Sequence, residues 1–387
     1  MDRFALQDYL SVNKCTLLGV GPVSKNCVDA VIELADAYDI PLILIASRNQ
    51  IESEDFGGGY VHNWTTQGFA DYVRKNDKSR KIILARDHGG PWQNQVEKEK
   101  RLSLTDAIES AKRSYKADID AGFDILHIDP SIDIHKNPTI DQIIERVFEL
   151  YEFCIEYSHR AGKEIIFEIG TEEQSGFLNT NENLKYILNR VKTYCDKNNI
   201  PEPSFIVVQT GTKVKEMENI GRFETLFDGA SSKIDLKNVI ETISICNEAN
   251  IMMKVHNMDY LSHQALEMHT RLGIQTANVA PEFGVTESKA FLSILNKYSM
   301  PELANQFLEI SYQSGKWKKW MLENSIASDF DRAVISGHYV FSTRSFKQIK
   351  ERAENKLDRL NIKLDNLLKD EVKKQIYRYL KAFCMIN

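Results

Sequence analysis

Asp87 and His88 stand side by side at the end of an apolar run and are followed by Gly89-Gly90, which makes them the sharpest chemical feature of the sequence. Adjacent residues at a strand end point in different directions, so His88 can ligate a metal while Asp87 faces a substrate as a base. The two glycines let the backbone turn tightly and let a ligand come close. His256 ends a second apolar run, Met252-Met253-Lys254-Val255. The stretch Glu168-Ile169-Gly170-Thr171-Glu172 adds carboxylates to complete a coordination sphere, Glu172 first and Glu168 second. Two imidazoles and a carboxylate with an open position suit one Zn2+ per chain. Asp87 and Glu172 are the candidate catalytic carboxylates.

These residues need a scaffold, and the pattern of the chain supplies one. Short β-branched runs alternate with stretches of helical period. Strands are predicted at 16–20, 42–46, 82–85, 125–128, 165–169, 205–208, 252–255 and 276–279, with amphipathic helices between them, such as 104–121 and 140–159. Ser103 with Asp106 marks a helix start, and Gly122 and Gly273 mark helix ends. Eight such units over residues 1–300 predict an α/β fold, a (β/α)8 TIM barrel. Residues 301–387 read as a C-terminal helical extension packed on it, helical over 302–325 and 344–382.

In a barrel the chemistry sits where strands end. Each predicted strand end is polar. Asn49, Asp129, Gln209, Asn257, Asp259 and Asn278 are accordingly the candidate substrate-binding residues. The loops after strands 7 and 8, 257–259 and 278–284, are the expected phosphate site. Arg48, Lys213 and Arg344 are further cationic candidates for a phosphate. His127 alternates with buried strand residues and reads as a core or supporting residue. Ser336-Gly337-His338-Tyr339 is a candidate flap over the barrel mouth.

The bulk numbers narrow the class. A net charge of −6 offers no basic field for nucleic acid or an anionic membrane. No apolar run approaches the roughly 20 residues of a membrane-crossing helix. The six cysteines are scattered without a CxxC pair, as expected of reduced thiols in a cytoplasmic protein.

Asp87-His88-Gly89-Gly90-Pro91, Pro41 to Gln50 and Ile169-Gly170-Thr171-Glu172 together resemble the tagatose-bisphosphate aldolase accessory-subunit family, related to class II ketose-bisphosphate aldolases. Val207 to Gly211, Val255 to Tyr260 and Asn278 to Pro281 follow in matching order. The resemblance implies zinc that polarises a ketose carbonyl and stabilises the enediolate of dihydroxyacetone phosphate. It places His88 and His256 on the metal and makes Asp87 the proton shuttle. One departure stands out: Gln209 lies where a class II aldolase has its third metal histidine. The expected function is a class II aldolase acting on a phosphorylated sugar. The alternatives are a metal-dependent sugar epimerase, with Asp87 and Glu172 as bases on opposite faces, and a subunit that stabilises a separate aldolase. A homo-oligomer or an aldolase partner subunit is the expected assembly.

Overall fold

The computed structural model describes residues 3–171, 180–224 and 233–386. Eight parallel strands close into a barrel: β1 (Leu17–Val20), β2 (Leu42–Ser47), β3 (Ile82–Gly89), β4 (Ile125–Ile128), β5 (Ile166–Ile169), β6 (Phe205–Val207), β9 (Met252–Val255) and β10 (Thr276–Val279). The order around the barrel is β1-β10-β9-β6-β5-β4-β3-β2. All eight predicted strands are present, each within a residue or two except β3, which runs four residues past its predicted end to include Asp87, His88 and Gly89. A small antiparallel hairpin, β7 (Val214–Lys215) and β8 (Glu218–Asn219), follows β6 outside the barrel; two-residue strands leave no periodic signal to read.

Helices alternate with the strands because their ends are written locally. In α5 (Leu104–Ala121) the Ser103 hydroxyl accepts from the Asp106 amide, and Gly122 takes the left-handed conformation that stops the helix. A capping box between Thr139 and Gln142 starts α6 (Ile140–Arg160). Six of the eight barrel strands are buried along their whole length, which is why they read as continuous apolar runs rather than alternating ones.

Past Pro301 lie α11 (Pro301–Gln313), α12 (Asp329–Ser336), α13 (Arg344–Asp358) and α14 (Leu364–Ala382). The helix expected over 302–325 stops at Gln313, because Gly315 adopts a left-handed φ of 65°. Val372, Ile376, Tyr379 and Leu380 of α14 join the apolar core of the barrel. Earlier residues of the tail form a second core with Val285 to Leu295 of α10 (Pro281–Lys297). The chain end returns to β1, where the Thr16 amide donates to the Phe383 carbonyl at 3.1 Å. Among the described residues no helix is long and apolar enough to cross a membrane.

Candidate metal centre and acid–base site

The end of β3 is built by a fault in its pairing. The β3–β4 register shifts between Arg86 and Gly89, and His88 sits at a φ of 45°, left-handed backbone that a non-glycine residue adopts at a cost. Beside the shift, Arg86 is fully buried and paired with Asp118 of α5 at 2.5 Å. It also donates to the carbonyls of Ala46 and Ile51. This anchor fixes the strand just before Asp87. Gly89 and Gly90 are required: an added Cβ would lie 2.5 Å from the Tyr115 ring at Gly89 and 2.2 Å from the Asp129 carbonyl oxygen at Gly90.

Four strands then bring a compact set of ligating atoms together. His127 of β4 and Glu168 of β5 are register partners. His127 Nδ1 stands 3.4 Å from Glu168 Oε1 and 4.0 Å from Asp87 Oδ1. His256 Nε2 is 3.6 Å from Glu168 Oε1 and 3.7 Å from Asp87 Oδ1. Asn278 of β10 donates to Asp87 Oδ1 at 3.1 Å and so fixes that carboxylate. Among the described residues, His256 Nε2 and Glu168 Oε1 are buried without a hydrogen-bond partner. Buried acceptors left in that state are costly unless something fills the space between them. Ligands of a tetrahedral cation at about 2.0–2.2 Å lie roughly 3.3–3.6 Å apart. The two contacts to Glu168 fall in that range and the two to Asp87 lie beyond it, while His127 Nδ1 also accepts from the His88 amide at 3.2 Å. The donor types suit a divalent cation such as zinc, with His127 having to give up that amide contact or turn its ring. The other Glu168 oxygen, Oε2, bonds Lys254 at 2.6 Å. Lys254 and His127 hold the Glu168 carboxyl well below the usual carboxylate range against the cost of burial.

His88 has a different partner. Its Nδ1 bonds Asp129 Oδ2 at 2.6 Å, and its Nε2 lies 3.1 Å from His256 Nδ1. Burial works against charging His88, yet Asp87, Asp129 and Glu168 outweigh it and raise its pKa to about 9. Asp129 is held down at about 2, its burial outweighed by His88 and His127. Burial wins at His127, whose pKa falls to about 4. Accessibility separates the imidazoles: the His88 side chain is 29% exposed, His127 only 1% and His256 3%.

Of the predicted site residues, Asp87, His88, His256, Glu168, Asp129 and Asn278 come together at the mouth. His127, read from sequence as a supporting residue, belongs to both groups of possible ligands at the mouth, one with Asp87 and His256 and one with His88 and Asp129. Its signal lay in the strand register, which a single chain does not spell out. Glu172 lies outside the described residues. Gln209 is buried just past β6. The Asn257 carbonyl accepts from Asn219 of the hairpin at 2.8 Å, and Asn257 itself is left-handed at 58°.

Two expected substrate contacts have other work. Asn49 is exposed and braces a loop, donating to the Gln93 carbonyl and accepting from the Gln95 amide. Asp259 is buried and accepts from the amides of Ala280 and Glu282 at the start of α10. Arg48, a phosphate candidate, is fully buried between Glu52 and Glu97, both at 2.7 Å. The segment holding Ser336 to Tyr339 is fixed in place: His338 is buried against Gly284, and Tyr339 packs on Tyr60 with ring centroids 4.9 Å apart.

Comparison with known proteins agrees with the motifs. Over residues 6–184 the chain matches the family model described as D-tagatose-1,6-bisphosphate aldolase subunit GatZ/KbaZ-like. The same barrel occurs in a probable tagatose 6 phosphate kinase from Sinorhizobium meliloti 1021, with a TM-score of 0.74 at 17% identity, covering 95% of this chain and 100% of that one. It occurs in the fructose-bisphosphate aldolase of Campylobacter jejuni (TM-score 0.54, 13% identity, 99% and 94% covered). A third is the fructuronate-tagaturonate epimerase UxaE from Cohnella laeviribosi (TM-score 0.58, 11% identity, 98% and 85% covered). At such identities these likenesses establish the barrel. None of the curated proteins matches the sequence.

Proposed function

We propose that this chain is a metal-assisted lyase of the aldolase kind that acts on a ketose at the mouth of the barrel. The observation that carries the reading is the group of Asp87, His127 and His256, with Glu168 3.4 and 3.6 Å from the two imidazoles and the His88–Asp129 pair beside it. A divalent cation held there supplies Lewis-acid polarisation of a carbonyl. The chain's own groups do the rest. Asp129 fixes the ring of His88 through Nδ1, and Nε2, which rests 3.1 Å from His256 Nδ1, would carry the transferable proton once a substrate takes that contact. In aldol condensation the protonated His88 would give its Nε2 proton to the alkoxide that forms as the new carbon–carbon bond closes. Cleavage is the reverse step and starts from the neutral ring: Nε2 takes the hydroxyl proton, the carbon–carbon bond breaks and its electron pair moves toward the carbonyl. Asn278 keeps the Asp87 carboxylate oriented. The family description and the aldolase among the structural relatives support this class of reaction.

The word subunit in the family description favours a second reading, in which the chain supports a separate catalytic aldolase. Metal content of the purified chain, paired with a cleavage assay on ketoses and their phosphates, separates the readings. Stoichiometric metal with release of a three-carbon ketone supports the lyase. Metal with a new sugar isomer and no cleavage moves the assignment to an epimerase, the activity named for UxaE. No metal, no turnover and stimulation of an added aldolase supports the subunit.

A further inference from the structure

In (β/α)8 barrels a substrate phosphate commonly binds between the loops after strands 7 and 8, on amides at a helix N-terminus. In this chain those loops follow β9 and β10, and the helix is α10. Its N-terminal donors are already used. Asp259 Oδ1 accepts from the Ala280 amide at 3.1 Å and the Glu282 amide at 2.9 Å, and Pro281 between them has no amide hydrogen to offer. From the other loop the Tyr260 amide donates to Glu282 Oε2 at 2.6 Å. Glu282 is held from α14 by the Tyr379 hydroxyl and by Gln375 at 2.5 Å. Two of the chain's own carboxylates, both buried, stand where a phosphate would lie.

The cation that reaches this corner from α14, Arg378, lies 3.6 Å from Glu282 Oε1 and donates to the Leu261 carbonyl. The buried cations are committed elsewhere: Arg48 is paired with Glu52 and Glu97, Arg86 with Asp118, and Lys254 with Glu168. The stretches 172–179 and 225–232 contain no lysine or arginine. What the β9 loop does offer is neutral: the Tyr260 hydroxyl is buried and has no hydrogen-bond partner among the described residues.

We propose that Asp259 and Glu282 close the phosphate niche of this barrel, so that its ligand is a ketose whose end at β9 and β10 carries hydroxyls and no phosphate. Asp259 is the specificity-determining residue: it occupies the helix amides as a phosphate would and leaves an approaching anion no free donor there. The inference rests on the ketose reading of the mouth, but the closed niche can be tested apart from it.

The experiment titrates the full-length, metal-loaded protein with inorganic phosphate, with free ketohexoses and with the corresponding 1- and 6-phosphates, for the wild type, Asp259→Asn and Asp259→Ala. The asparagine keeps an oxygen for both amides and protects the fold; the alanine opens the niche. The wild type is expected to bind no inorganic phosphate at α10 and to hold free ketoses at least about tenfold tighter than their phosphates. Asp259→Ala should gain affinity for phosphate and narrow the gap between the two sugar classes, whereas Asp259→Asn, which still occupies the amides, should behave as the wild type. Tighter wild-type binding of the phosphorylated sugars, or an Asp259→Ala variant with an unchanged preference, would overturn the proposal. If no ketose of either kind binds any variant, the ketose reading fails, and with it the substrate class proposed here. The gain or absence of phosphate binding on opening the niche still decides its closure.

Discussion

His88 Nδ1 and Asp129 Oδ2 meet at 2.6 Å across the ends of two neighbouring strands. Asp129 is itself held by the Ser131 hydroxyl at 2.6 Å and by Gln93 at 2.9 Å, so the carboxylate cannot swing away from the ring. An imidazole fixed at one nitrogen points the other in one direction, here to within 3.1 Å of His256 Nδ1, where a substrate hydroxyl would have to replace that contact. Asp129→Asn keeps the shape of this contact but removes its charge. Turnover should fall by about 10²–10⁴-fold, the usual worth of a positioned acid–base group. Metal content should stay close to that of the wild type. Activity within a factor of about three of wild type, with correct folding, would remove the pair from the chemistry.

His127 offers a direct test of the ligand set. Its Nδ1 lies within 4.0 Å of both Asp87 Oδ1 and Glu168 Oε1, whereas His88 is turned to Asp129. His127→Ala and His256→Ala should each lose metal by more than about 100-fold in affinity, beyond the 10–100-fold expected for a supporting residue. His88→Ala should keep most of its metal and lose turnover. Equilibrium dialysis against zinc, read by elemental analysis, distinguishes the three. Retention of metal by His127→Ala together with its loss in His88→Ala would restore the assignment that the motif resemblance implies.

The barrel was legible because its strands are buried runs with helix caps written beside them, as at Ser103 and Thr139. The site was legible to the extent that its residues sit at strand ends: Asp87, His88, Asp129, Glu168, His256 and Asn278 were all found that way. What escaped depends on the third dimension. That His127 faces Glu168 follows from the β4–β5 register, and no spacing encodes a register. Arg48 looks like any cation at a strand end, and only the approach of Glu52 and Glu97 makes it a buried structural ion. Asp259 was read only from its place after a strand, and spacing could not show that its side chain turns to the amides of the next helix.

Gly170 is a position where the fold and the site share one atom's worth of space. A Cβ there would lie 2.4 Å from His127 Nε2, and the His127 ring is enclosed and cannot retreat. Gly170→Ala should cost about 1–3 kcal/mol in stability, the range for overpacking a tight interior. It should also displace His127 and weaken metal binding. Denaturant unfolding of the metal-free and metal-loaded protein checks both effects, since the variant should lose part of the stabilisation that metal confers on the wild type. A variant as stable as wild type with the same metal-dependent gain would show that the ring has room to move.

Asp259 gives a pH dependence with a definite sign. Burial, reinforced by Glu282, raises its pKa from 3.8 to about 7. The folded chain therefore keeps a proton at Asp259 that the unfolded chain has already released. Its contribution to stability is fully present below about pH 4 and is lost as the pH rises through about 7. Glu287, bonded to Ser24 and Asn26 and also raised to about 7 by burial, adds a slope of the same sign. Asp259→Asn isolates the first term, because its side-chain oxygen still accepts from the Ala280 and Glu282 amides without a charge to desolvate. The variant should match the wild type near pH 4 and be the more stable of the two at pH 8, with the gap opening between these values. Urea unfolding at steps across that range measures the gap. A gap that stays constant with pH would mean that Asp259 is charged in the fold throughout, and that the amides of α10 outweigh both its burial and its acidic neighbour.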